Sequence, residues 1–177
     1  TVARKLLDKM VEEVANASPE LQVDDVAGYT DPIILETALE RLNYTDGSLS
    51  DTIETILSNY PDRLEKLFND HEDAYVYDDA VSLLEACKKE GWQSGLLSGN
   101  VRKAAEIKLK RFGLWDSFEF GVFGDDARNR EELVLVAEEA ALEAFGESYT
   151  HNRMVLVGDT AQDAIAARVN GVRSLIV

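Results

Sequence analysis

Arg153-Met154-Val155-Leu156-Val157-Gly158-Asp159-Thr160-Ala161-Gln162-Asp163 reads as a short apolar strand running through a glycine into the first turn of a helix. A brief apolar run bounded by polar residues suits a strand covered on both faces. The same unit recurs on either side of it. Residues 78–90 predict a helix, 92–97 a strand, 101–112 a helix, 118–122 a strand and 130–145 a helix. After the quoted strand at 154–157 come a helix over 162–169 and a last strand over 174–177. Strands alternating with helices define an α/β class, here a Rossmann-like, three-layer parallel sheet with right-handed crossovers. Ligands of such sheets sit beyond the carboxyl ends of the strands, so the chemistry is sought there.

Upstream, the rhythm is helical. Val2, Leu6, Leu7, Met10, Val11 and Val14 fall at three- and four-residue steps, the stripe of an amphipathic helix. Thr30-Asp31-Pro32 is a cap followed by a proline and starts a second helix through Ile33, Ile34, Leu35, Ala38 and Leu42. A third helix runs from Leu49 or Asp51 to about Phe68, with a break expected at Pro61. The chain therefore divides into a helical domain over residues 1–75 and an α/β domain over 76–177. No internal repeat or low-complexity segment is visible.

The 177 residues carry 18 Lys+Arg against 34 Asp+Glu, a net charge of −16, with 45% hydrophobic residues. That composition is globular. The acidity disfavours nucleic acid or an anionic membrane as partner, because the long-range field repels phosphate backbones. An anionic substrate would have to be held by local cations, helix N-termini or a metal. The single cysteine, Cys87, excludes an internal disulfide and fits a reducing, cytoplasmic compartment. No apolar run approaches the roughly 18–20 residues of a membrane span, and no signal peptide is visible. The chain starts at Thr1 instead of Met, so a segment upstream of it is expected.

Several strand ends carry groups suited to chemistry. Asp159 lies just past its strand and Asp163 in the next helical turn, so both carboxylates can face one point. Two hard oxygen ligands there suit Mg²⁺. The same spacing, Thr160-x-x-Asp163, is also a capping-box variant. Leu96-Leu97-Ser98-Gly99-Asn100 ends another strand in a hydroxyl, a glycine and an amide, able to present donors to an anion; it is equally an ordinary turn in which Asn100 caps the helix from Val101. Gly91, Gly95 and Gly99 are spaced by four, which fits neither a dinucleotide fingerprint nor a P-loop. Arg130 opens a helix, where a cation opposes the dipole unless an anion lies close by. Lys108 sits amid the stripe Val101, Ala104, Ala105 and Phe112, the position of a snorkelling lysine. His71 and His151 read as surface residues, and Cys87 as a core thiol.

In this order, with a helical segment ahead of Leu96–Asn100, then Arg130, then Val155–Asp163, the chain resembles the haloacid dehalogenase-like (HAD) hydrolase superfamily. The likeness is to its phosphoglycolate-phosphatase-like branch, which has a helical cap. It extends over nearly the whole chain, including Ala27–Asp31 and the stretch Gly121–Asp126. The resemblance makes 1–75 the cap and 76–177 the HAD-like core. It implies that Ser98 hydrogen-bonds a phosphoryl oxygen, helped by the N–H groups of Gly99 and Asn100. Arg130 would be the basic residue that neutralises phosphoryl charge, with Lys108 the fallback. Asp159 and Asp163 would hold Mg²⁺. Tyr29, Thr30 and Asp31 would form a cap loop facing a small phosphorylated metabolite.

One part of the family pattern is missing. The Asp-x-Asp-x-Thr motif, which in the family ends a central strand and supplies the nucleophile and the acid/base, has no match in residues 1–177. The expectation is therefore a Mg²⁺-dependent phosphatase working through an aspartyl phosphate in the intact protein. These residues alone are expected to be inactive, with an interruption between the strands ending at Leu97 and Val157. Two other readings stay open: a non-catalytic relative that binds a phosphometabolite or a protein partner, and a sugar-phosphate mutase. Dehalogenation is disfavoured, since it does not need the Asp159/Asp163 pair. Physiological substrate and oligomeric state are not legible.

Overall fold

A computed structural model describes residues 1–72 and 74–177. The helical half is built from α1 (Val2–Ala15), α2 (Asp31–Arg41) and α3 (Leu49–Asn69). Thr1 caps α1 by accepting from the Arg4 N–H, and Ser48 caps α3 by accepting from the Asp51 N–H. The predicted stripe of α1 is its buried face: Leu6, Leu7, Met10 and Val11 pack with Ile34, Leu35, Ala38 and Leu39 of α2 and Ile56, Tyr60 and Leu64 of α3. The expected break at Pro61 does not occur, and α3 is one helix with Pro61 inside it. Ile56, Tyr60 and Leu64 are buried on either side of the proline, so burial of one continuous face outweighs the missing hydrogen bond.

The second half alternates as predicted: α4 (Asp78–Lys89), β1 (Gly95–Leu97), α5 (Arg102–Lys110), β2 (Phe120–Val122), α6 (Arg130–Phe145), β3 (Val155–Gly158), α7 (Ala161–Val169) and β4 (Arg173–Ile176). β1 pairs parallel with β2, Leu96 opposite Gly121, and β3 pairs parallel with β4, Leu156 opposite Ser174. The strand predicted over 92–97 shrinks to three residues because Trp92 and Gln93 stay exposed and the ladder starts only at Gly95 opposite Phe120. Among the described residues the two pairs are separate sheets, the interruption expected between Leu97 and Val157. They are joined from one side. Leu97, Val134, Ala166, Ala167 and Leu156 form one small cluster, and Val122, Leu133 and Ala137 another beside it.

Two features differ from a uniform three-layer arrangement. Val155, Val157 and Leu175 lie away from α7 and remain 45–48% exposed, and α4 has no buried residue. Helix α5, assigned by sequence to the α/β half, places Val101 and Ala104 in the core of the helical half. Arg111 strengthens that junction: its guanidinium donates to the carbonyls of Phe68 and His71 at the end of α3 and lies over the Phe68 ring. The apolar side of α5 thus goes to the helical bundle and is not available to the sheet.

Candidate active site at the strand ends

The turn after β1 is assembled from three segments. Gly99 is buried, and its carbonyl accepts from the Asp31 N–H at 2.7 Å. A Cβ on Gly99 would collide with the Tyr29 carbonyl, and one on Gly124 with the Gly99 carbonyl. Close backbone approach is the reason both positions are glycine. The Gly124 N–H donates to the Asn100 carbonyl at 2.8 Å, and the Thr30 hydroxyl donates to the Arg128 carbonyl at 2.8 Å. Ser98 Oγ accepts from the Asn100 N–H at 3.2 Å, which leaves its own proton free to donate. One of the N–H groups expected to meet an anion is therefore already engaged.

Asn100 does not cap α5, contrary to expectation. The first N–H groups there are taken by acids from elsewhere: Asp31 Oδ2 accepts from Val101 at 2.8 Å and Asp125 Oδ1 from Arg102 at 2.9 Å. The Asn100 side chain instead bridges two charges. Its Nδ2 donates to Asp31 Oδ1 at 3.2 Å, and its Oδ1 accepts from Lys108 Nζ at 2.7 Å. Lys108 is thus no snorkelling lysine; its ammonium turns inward to the turn. Burial pushes the Lys108 ammonium below its ordinary value, partly offset by the Asp31 charge. Burial pushes the Asp31 carboxyl up, opposed by Lys108 and by the Val101 and Asn100 donors. Thr30 and Asp31 are fully enclosed, so of the three predicted loop residues only Tyr29 is open to a ligand. Tyr29 accepts at its hydroxyl from Gln162 Nε2 at 3.1 Å.

Asp159 and Asp163 are treated differently by the fold. Asp163 is completely buried. Its Oδ2 accepts from the Thr160 N–H and hydroxyl at 3.1 and 2.7 Å, while Thr160 Oγ1 accepts from the Asp163 N–H, a full capping box. Its Oδ1 accepts from Arg130 Nε at 2.5 Å. Gly158 makes room for this carboxylate, because a Cβ there would overlap it. Arg130 is the first residue of α6, capped by Asn129, and its penalty at a helix N-terminus is met by the anion Asp163. Asp159 is exposed and has no side-chain hydrogen bond among the described residues. Its charge adds to the hydrogen bond from Tyr75 in holding the Tyr77 hydroxyl above its ordinary value.

No group of three metal-ligating side chains exists among the described residues. Asp163 is engaged by Thr160 and Arg130, so of the two carboxylates expected to hold the ion only Asp159 is open to solvent. One carboxylate with waters and a substrate phosphate still suits Mg²⁺, which dehydrates reluctantly. A cavity of about 270 Å³ opens beside Arg130, between Tyr29, Thr30, Ile33, Asn129 and Gln162. Sequence reasoning missed Asp31 and Asp125 as caps for α5. The one available signal was Lys108, a cation in an apolar stripe, which calls for a buried acid.

Residues 5–177 match the family model of the haloacid dehalogenase-like hydrolases. The chain belongs to this hydrolase family. In fold it is similar to a candidate haloacid dehalogenase-like hydrolase from Bacteroides fragilis, at 22% identity and a TM-score of 0.67, over 97% of this chain and 79% of that one. It is also similar to a candidate phosphatase from Clostridium difficile, at 17% identity and a TM-score of 0.57, over 98% and 78%. No curated protein matches it. The haloacid dehalogenase-like architecture accounts for the helical cap ahead of the parallel strands. No described helix of this family member is long and apolar enough to cross a membrane.

Proposed function

We propose that the intact protein is a Mg²⁺-dependent phosphatase of small phosphorylated metabolites, phosphoglycolate-phosphatase-like, acting through an aspartyl phosphate. The observation that carries this reading is the way residues 29–31 tie three strand-end turns together. Tyr29 reaches Gln162 of α7, Thr30 reaches the Arg128 carbonyl, and Asp31 reaches Asn100 and Val101. The Ser98 hydroxyl follows β1 and the open Asp159 carboxylate follows β3, and ligands of such sheets bind beyond those strand ends. The candidate phosphatase similar in fold agrees with this class of reaction.

In that reading the Ser98 hydroxyl and the Gly99 N–H donate to phosphoryl oxygens, and Arg130, its orientation held by Asp163, adds positive charge. Asp159 would hold Mg²⁺, which when bound draws charge from the phosphoryl oxygens. The phosphoryl group passes to an aspartate carboxylate, a role assigned to none of residues 1–177, and water then releases it as phosphate. Tyr29 and Gln162 border the space left for the leaving group. The free Cys87 thiol suits a reducing cytoplasm. Asp159→Asn in the intact protein is expected to cut Mg²⁺-dependent turnover of p-nitrophenyl phosphate by orders of magnitude; unchanged turnover would remove the metal assignment.

One observation favours a second reading, a non-catalytic relative. The Arg130 Nε and the Asn100 N–H are engaged inside the protein without any ligand. That reading requires phosphate binding by calorimetry with no hydrolysis of p-nitrophenyl phosphate or of a hexose phosphate. Conversion of the hexose phosphate to its isomer would instead identify a mutase.

A further inference from the structure

Resting on the phosphatase reading, we propose that Asp31 is a positioning residue that sets the Lys108 ammonium at the phosphate turn through the side chain of Asn100. The chain of contacts is continuous: Asp31 Oδ1 accepts from Asn100 Nδ2, and Asn100 Oδ1 accepts from Lys108 Nζ. Because one neighbour only accepts and the other only donates, the Asn100 amide has a single satisfactory orientation. Asp31 is held in turn by Val101 N–H and by its own N–H on the Gly99 carbonyl. Every link therefore touches the turn Ser98–Asn100 or the first residue beyond it. The acid comes from the helical cap and the cation from α5, so seating of the cap and placement of the cation are one event.

The surroundings of Asp31 call for a cation. The Asp125 charge pushes the Asp31 carboxyl up, and burial, then the Asp31 charge, push up the enclosed Tyr60 hydroxyl, which has no hydrogen-bond partner among the described residues. Lys108 is the compensating cation that reaches Asp31 through the amide. Arg130, by contrast, has its own acid, its Nε donating to Asp163 Oδ1. A buried carboxylate and a buried ammonium joined by an amide cost far less than either alone. The ammonium has donors to spare, since one of its three N–H bonds serves Asn100, and those are what a phosphoryl oxygen at Ser98 would meet.

The test is a double-mutant cycle on inorganic phosphate binding, with Asp31→Asn, Lys108→Met and the pair together, measured by titration calorimetry on the full chain. Asp31→Asn is expected to weaken phosphate by at least about tenfold, the worth of a hydrogen bond to a charged group. The double variant should bind no worse than Lys108→Met, because Asp31 acts through Lys108. Additive losses, or an undiminished affinity in a folded Asp31→Asn protein, would overturn the proposal. If Asp31→Asn does not fold, Asn100→Ala replaces it; it cuts the bridge, keeps the backbone N–H, and carries the same two outcomes. A ligand-free readout separates this idea from the phosphatase reading. By NMR the Lys108 side chain should titrate lower in Asp31→Asn than in the parent, since desolvation is then unopposed, and an unmoved titration overturns the positioning role whether or not phosphate binds.

Discussion

The helical half and the α/β half are held together by different means. In the first, Val11, Leu35, Leu39, Tyr60 and Leu64 are wholly enclosed, and three helices share one continuous apolar core. In the second, the apolar clusters are small, and Val155, Val157 and Leu175 of the strands stay half-exposed. What unites this half at its strand ends is polar: the capping box of α7, the Arg130–Asp163 pair, and the carbonyls that receive Thr30 and Asp31. The lesson is that burial of hydrocarbon and placement of chemistry are delegated to separate regions. They meet at residues 29–31, where the helical core projects an acid into the strand-end turns.

This contrast can be broken most severely at the junction. Asp31→Ala leaves the Lys108 ammonium buried without its counter-charge and strips a cap from α5, so a loss of about 3–5 kcal/mol is expected from the denaturant midpoint. A loss under about 1 kcal/mol would mean that the two halves do not depend on this contact. A pair of truncations sharpens the same comparison. Leu35→Ala, in the helical core, is expected to cost about 2–5 kcal/mol, whereas Val157→Ala, 45% exposed, should cost well under half of that. Equal costs would show that the strands are as well buried as the helices.

The smallest effect concerns the rim of the helical half, where Arg63 pairs with Glu13 at 2.6 Å and Arg41 with Asp25 at 2.5 Å. The hydrogen bonds from these arginines hold both carboxyls below their ordinary values of 4.5 and 3.8. Groups lowered in the folded state contribute stability above the ordinary carboxylate range and lose it as pH falls through the depressed values. Both sites are open to solvent, so water and salt screen each pair and its contribution is small. Glu13→Gln should lower the thermal midpoint slightly at neutral pH and leave it unchanged at a pH where Glu13 is already protonated. An equal decrease at both would assign the effect to packing.

The legibility of the site varied residue by residue. Along the chain Arg130 is a misplaced cation that needs an anion, and the anion is Asp163, legible there only as half of a pair with two possible roles. Asp159 and Asp163 look equivalent along the chain, yet one is exposed and the other enclosed, because only Asp163 points back to Thr160 and into the space cleared by Gly158. Asp31 was visible as the start of α2 and as part of a loop. Its enclosure against Asn100 and Val101 was not, since those partners are 69 and 70 residues away.

Amphipathic stripes, caps and short apolar runs are written within a few turns of chain, so the order of helices and strands, the parallel α/β class and the residues at the strand ends follow from the sequence alone. Which acid meets which cation does not. That depends on how α5 divides its faces between bundle and sheet, and on backbone approaches at Gly99 and Gly124 that bring remote segments within hydrogen-bond reach. Those distances arise only when the two halves pack, and they decide that Asp163 secures Arg130, Asp159 stays open, and Asp31 answers Lys108.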